Sequence, residues 1–164
     1  MPASEQHTAA ERYRVSPRTA IFVRRGEEYL LIKGSAGKRL WPGKYNAIGG
    51  HVEPGEDVLA AALRELREET GLVADLWLCG TVMVDAGETG VALFVFVADD
   101  PTGEPNDSAE GSVEWLTVRS LDGRPMVEDL PMLLHRIGLA KRGDPPFSAK
   151  SYYDSRGHLQ ITFA

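Results

Sequence analysis

The chain has a single cysteine, Cys79, no apolar run long enough to span a bilayer, and no surplus of positive charge. One cysteine excludes an intrachain disulfide, which makes a reducing cytoplasm the expected compartment. The longest strongly apolar run, Val91 to Ala98, is far short of a membrane span, and the residues from Met1 to Arg12 lack the apolar centre of a secretory signal. A formal net charge of −6 argues against a partner that is a nucleic-acid polymer or an anionic membrane, because both call for basic surface.

What is present fits one soluble domain. The 164 residues are 43% hydrophobic and 26% charged, ordinary values that allow a substantial core. Residues 1–16 are polar and without periodicity and read as a flexible tail or edge extension, leaving 17–164 as a single domain. Arg18 to Val23 and Tyr29 to Lys33 flank Arg-Arg-Gly-Glu-Glu as a first β-hairpin. Tyr45 to Ile48 is a short strand, and Leu72 to Asp85 with Val91 to Ala98 a second hairpin. Val113 to Val118 returns as a strand, and Val127 to Leu139 forms a second helix with Leu130, Leu133 and Leu134 inward. Residues 147–163 alternate on either side of Asp-Ser-Arg-Gly and read as a terminal hairpin. That hairpin could extend the sheet, cover a cleft or pair with another chain, so both monomer and homodimer stay open.

Charge is unevenly placed. Between Gly50 and Leu72 stand six acidic residues (Glu53, Glu56, Asp57, Glu65, Glu68, Glu69) against Arg64 and Arg67, while Glu11 to Lys44 carries nine basic and three acidic residues. Pro54 and Gly55 make a turn, Asp57 suits a helix cap, and no Gly or Pro interrupts Val58 to Thr70 before Gly71 supplies a stop. On that helix Leu59, Ala62, Leu63 and Leu66 form a packing stripe. Glu65, Glu68 and Glu69 are helical neighbours whose repulsion costs roughly 0.2–0.5 kcal/mol per pair, so a cation should offset it. With no Cys or His in this helix, an all-oxygen set suits Mg²⁺, or Mn²⁺ in its place, better than zinc.

The spacing from Gly50 through Glu56, Arg64-Glu65-Leu66 and Glu68-Glu69 to Gly71-Leu72 resembles the Nudix box of the Nudix hydrolases. The resemblance implies an α/β/α sandwich around a mixed β-sheet, with the box as a loop-helix-loop. It also implies metal-assisted hydrolysis of a nucleoside diphosphate linked to another group. By position, Glu65, Glu68 and Glu69 match the metal-binding carboxylates, the Gly50 carbonyl a further ligand, and Arg64 the arginine that positions Glu65. Glu56 matches a structural acid. Glu110, in Glu-Gly-Ser-Val-Glu-Trp, resembles the distal glutamate of MutT-like members as extra metal ligand or base, with Glu114 in reserve. The general base, Glu65 or Glu110, is left open.

The substrate expected is a small nucleotide. Asp85 to Val91 offers neither the proline of ADP-ribose-directed members nor the tyrosine of diadenosine polyphosphate hydrolases. The Ser-Gln-Pro-Trp-Pro-Phe-Pro signature of NADH pyrophosphatases is also absent. A MutT-like nucleoside triphosphatase remains. Lys44-Tyr-Asn46-Ala-Ile-Gly-Gly resembles the Arg-Trp-Asn-Gly-Phe-Gly-Gly run of triphosphatases that remove oxidised purine nucleotides, where Asn46 would meet the base edge. The same asparagine could instead satisfy turn backbone. Lys33 and Lys44, ahead of Lys38 and Arg39, are candidate phosphate contacts. Trp41, Tyr45 and Phe96 are either stacking or core aromatics. The alternatives are ADP-ribose or a nucleotide sugar as substrate, or a nucleotide sensor without catalysis.

Overall fold

A computed structural model describes residues 12–37 and 40–164. The elements run β1 (Arg14–Arg25), β2 (Glu28–Gly34), β3 (Tyr45–Asn46), α1 (Val58–Thr70), β4 (Trp77–Val84), β5 (Thr89–Asp99), β6 (Gly111–Thr117), α2 (Leu130–Gly138), β7 (Phe147–Tyr153) and β8 (Leu159–Phe163). Among the described residues eight strands join one sheet in the order β3-β2-β1-β5-β4-β7-β8, with β6 added to β2. The β1/β5 and β4/β7 pairs are parallel and the other pairs antiparallel, so the sheet is mixed.

Alternation along β1 builds both layers, because successive strand side chains point to opposite faces. Ile21 and Val23 join Leu30, Ile48 and Phe96 beneath Ala62 and Leu66 of α1. Ala20 and Phe22 join Leu31 and Val95 beneath Leu130, Leu133, Leu134 and Ile137 of α2. One helix therefore covers each face, as expected for an α/β/α sandwich.

Helix α1 begins and ends where its sequence chemistry requires. Asp57 Oδ1 accepts from the Leu59 and Ala60 amides at 2.9 Å, filling two of the four donors a helix start leaves unpaired. Gly71, at φ 74°, takes the left-handed turn at the other end, and its N–H donates to the Arg67 carbonyl.

The buried face differs from the expected stripe: Leu59 and Leu63 are exposed, while Ala61, Ala62, Leu66, Glu69 and Thr70 are buried. The helix is rotated so that small alanines meet the sheet and Glu69 turns inward.

Three boundaries also shift. Arg14, Val15 and Ser16, expected in the tail, are paired with Thr89, Gly90 and Val91 of β5. Strand β4 starts at Trp77, because Leu72 and Leu76 are buried but Val73 bridges only to Thr102. Helix α2 starts at Leu130, because the Val127 N–H is committed to the Tyr45 carbonyl. The terminal hairpin forms over the expected residues and extends the sheet through β4.

Candidate active site

The loop entering α1 is stitched along β1. The Ile21 N–H donates to the Ile48 carbonyl at 2.7 Å, the Thr19 N–H to Gly50 at 2.8 Å, and the Val52 N–H to Pro17 at 3.1 Å. Gly49 stands at φ +134°, where an added Cβ would run into the Thr19 carbonyl, so only glycine suits the position. At Gly50 the space a Cβ would take is filled by the Glu65 carboxylate. The paired glycines thus bring the backbone into contact with carboxylates of α1.

The three helix carboxylates occupy different settings. Glu69 is 3% exposed and its Oε2 accepts the Gly49 N–H at 2.9 Å. Glu65 is largely buried, and Glu68 keeps 61% of its side chain exposed. Arg64 binds them from one side, donating to Glu65 Oε1 at 2.8 Å and Glu68 Oε2 at 3.2 Å. Its Nε and other terminal nitrogen grip Glu56 at 2.7 and 3.0 Å, a bidentate pair, and it also donates to the His51 carbonyl. The Arg64 bonds, with the Glu53 N–H behind them, hold the Glu56 carboxyl down to about 2. Arg64 does not line the cavity in front of Glu65; it holds the Glu65 carboxylate from behind and is itself braced by Glu56.

That cavity, about 420 Å³, is lined by Glu65, Glu68, Glu69, Glu110, Gly50 and Arg18, among others. Glu110 reaches it from the loop before β6, whose carbonyl at Glu110 accepts the Ser35 N–H. Among the described residues no three metal-ligating side chains converge on one point. Mg²⁺ does not require that, since it keeps several waters and takes one or two carboxylates plus substrate phosphate oxygens. The donors fit such an ion: Arg64 occupies one oxygen each of Glu65 and Glu68, and the Gly50 carbonyl accepts one hydrogen bond with a second lone pair remaining.

A second cavity of about 380 Å³ adjoins the first and shares Arg18, Trp41, Lys44, Asn46 and Gly49 with it. Lys44 and Asn46 are therefore brought to the cleft. Asn46 Oδ1 accepts the Ala47 N–H at 2.8 Å, so it does serve local backbone, but its NH₂ has no partner among the described residues. Of the three aromatics, Tyr45 and Phe96 are core, while Trp41 is exposed in both cavities at φ 53°, a conformation costing a bulky residue about 1 kcal/mol or more.

Lys33 lies elsewhere. It points away from both cavities, its Nζ 5.7 Å from the centre of the Tyr45 ring. Glu114 accepts the Tyr45 hydroxyl at 2.6 Å and pairs with Arg124, a structural brace at the sheet edge. Lys38 and Arg39 fall outside the described residues.

Arg18 and Asp129 are among the cavity residues that the sequence did not single out. Arg18, on the same face of β1 as Ala20 and Phe22, lines both cavities, and its guanidinium has no hydrogen-bond partner among the described residues. Burial lowers its pKa, against the raising influence of Glu65. Asp129 precedes α2 without capping it, and burial raises its carboxyl above the usual range, with the Glu128 charge adding to the shift. The available signals were an arginine opening an apolar alternation and a cap-type residue before Leu-Pro.

The NUDIX domain family matches residues 14–135. Over 101 residues the chain is 36% identical to the oxidized purine nucleoside triphosphate hydrolase of Danio rerio, covering 57% of this chain and 65% of that protein. Over 132 residues it is 44% identical to the NAD-capped RNA hydrolase NudC of Stutzerimonas stutzeri, covering 79% of this chain and 46% of that protein. The chain thus spans about half to two thirds of these relatives' lengths. The crystal structure of a MutT protein from Bacillus halodurans superposes with a TM-score of 0.73 at 25% identity, over 90% of this chain and 97% of that one. Among the described residues no helix is long and apolar enough to cross a membrane. With the box, the sandwich and the family match over the same residues, the chain belongs to the Nudix hydrolase family.

Proposed function

We propose that the chain hydrolyses a purine nucleoside triphosphate to the monophosphate and pyrophosphate, with an oxidised purine such as that of 8-oxo-dGTP as the preferred base. The observation that carries this reading is the pair of joined cavities. One is walled by carboxylates, the other is mostly apolar with Asn46, Glu128, Asp129 and Ser151 among its polar groups, and Arg18 and Lys44 stand in both.

Nudix hydrolases generally use divalent metals, and here Mg²⁺ is the proposed ion, held by Glu65, Glu68, Glu69, Glu110 and the Gly50 carbonyl. When bound it would neutralise phosphate oxygens and favour ionisation of a water. The chain's own groups do the rest. Glu65, fixed by Arg64, or Glu110 from across the cavity accepts the proton of the attacking water. Arg18 and Lys44 bind the phosphates between the cavities. Trp41 offers a stacking face. The Asn46 NH₂ and the Asp129 carboxyl meet the base edge, the one as a donor and the other as an acceptor.

A second reading is favoured by the 44% identity to NudC: hydrolysis of the diphosphate of an NAD-type end, free or on RNA. The test is product analysis with Mg²⁺ and then Mn²⁺, across ordinary and oxidised dNTPs, ADP-ribose, NAD, NAD-capped RNA, dinucleoside polyphosphates and nucleotide sugars. The proposal expects pyrophosphate and one preferred monophosphate. Release of nicotinamide mononucleotide at the higher rate would install the second reading, and tight nucleotide binding without turnover would make the chain a sensor.

A further inference from the structure

The family match ends at residue 135, yet the chain continues into a hairpin that is built into the sheet. Strand β7 pairs with β4 from Gly80↔Phe147 to Val84↔Ser151. Phe147 is buried and stacks edge-on to Phe163 at 5.4 Å, and its ring lies so close to Gly80 that an added Cβ there would sit 2.5 Å from it. Both strands of the hairpin are thus anchored at the Phe147 end, against the main core.

The other end of the hairpin reaches the second cavity. Ser151 and Tyr153 of β7 and Leu159 of β8 line it together with Trp41, Asn46 and Asp129. The Tyr153 hydroxyl donates to Glu128 Oε2 at 3.0 Å, tying the hairpin to the residue immediately before Asp129. A segment beyond the matched domain therefore supplies part of the wall around the polar groups assigned to the base.

We infer that the terminal hairpin is the specificity wall of the base cavity: Leu159 limits the volume open to the base, and Tyr153, through Glu128, is a positioning residue for Asp129. The inference rests on the second cavity holding a base, and it does not require turnover. It assigns base selection partly to residues outside the hydrolytic box and beyond the matched domain.

The test is calorimetric binding of guanosine, 8-oxoguanosine and the bulkier N2-ethylguanosine to the metal-free protein, with thermal melting of each variant. Leu159→Trp should fill the cavity and weaken both guanosine and 8-oxoguanosine about tenfold or more. Leu159→Ala, which cannot clash, should raise N2-ethylguanosine binding relative to guanosine about threefold. Tyr153→Phe keeps the ring and should reduce the preference for 8-oxoguanosine over guanosine about three- to tenfold, the effect of one lost hydrogen bond. Absence of nucleoside binding to the wild type, or unchanged ratios in Leu159→Ala and Tyr153→Phe with unchanged melting, overturns the inference. If the wild type binds nucleosides and the variants shift as expected, but no triphosphate is hydrolysed, the hairpin assignment stands and the triphosphatase reading falls.

Discussion

Replacing Gly50 by alanine should separate turnover from stability. A Cβ at this position would lie 2.5 Å from Glu65 Oε1 and 2.7 Å from its carboxyl carbon, whereas ordinary contact begins at 3.4 Å. The carboxylate must therefore retreat by about 0.9 Å, the difference between 3.4 and 2.5 Å, and a misplacement of about 1 Å at the reacting centre costs about 10²-fold in rate. That corresponds to about 2.7 kcal/mol of barrier. The group that moves is the end of a flexible side chain, so the loss of stability should stay below about 1 kcal/mol. The neighbouring variant gives the contrast: Gly49→Ala forces a left-handed φ and drives a Cβ into the Thr19 carbonyl, which should cost about 1–3 kcal/mol of stability. The assay is kcat at saturating triphosphate with Mg²⁺, beside thermal melting. Gly50→Ala should melt near the wild type and lose about two orders of magnitude in kcat, while Gly49→Ala should melt several degrees lower. A Gly50→Ala enzyme turning over at the wild-type rate would refute the idea that the position of Glu65 limits the chemistry.

Asp129→Asn should stabilise the protein at neutral pH. The carboxyl is raised in the folded state, so its ionisation opposes folding, and that opposition grows as pH rises from the ordinary value of 3.8 and is complete above the folded value. Melting curves should place the variant higher at pH 7 and level with the wild type near pH 3, while its preference for oxidised purine falls. Glu56 has the opposite sign. Held at about 2 against an ordinary 4.5, it contributes stability above 4.5 that is lost as pH falls toward 2, so Glu56→Gln should flatten acid unfolding in that window and lower kcat by loosening Arg64. Arg18→Met should raise KM for triphosphates about tenfold and leave guanosine binding unchanged, because only the phosphate contact is lost. Equal losses for nucleoside and nucleotide would show Arg18 to be a structural residue.

Local chemistry made much of this fold legible. Asp57, the uninterrupted run to Thr70 and Gly71 specify α1 at both ends, and hydrophobic alternation specifies the strands that flank it. The packed face of α1 was less legible, because Leu59 and Leu63 suggest an inward stripe that the sheet does not accept. Ala61 and Ala62 are the small residues on the buried face, and Glu69 on that face meets the Gly49 N–H in the loop before the helix, a contact that the helix sequence alone does not specify. The carboxylate spacing on one helix revealed Glu65, Glu68 and Glu69 together, since helical neighbours are fixed by the repeat. Arg18, Asp129 and the paired Tyr153 and Leu159 lie far apart in the chain, and only the fold brings them to one cavity. Lys33 shows the same limit in reverse, because a one-residue step along β2 decides between the cleft, which Ile32 lines, and the Tyr45 face.

The most direct measurement is pyrophosphate release from 8-oxo-dGTP and dGTP with Mg²⁺ by the wild type, Glu68→Gln and Glu69→Gln. The account predicts one pyrophosphate per monophosphate, faster turnover of the oxidised nucleotide, and a loss of about 10²-fold or more in each variant with the fold retained. Turnover unchanged in both variants, or no pyrophosphate from either nucleotide, would contradict it.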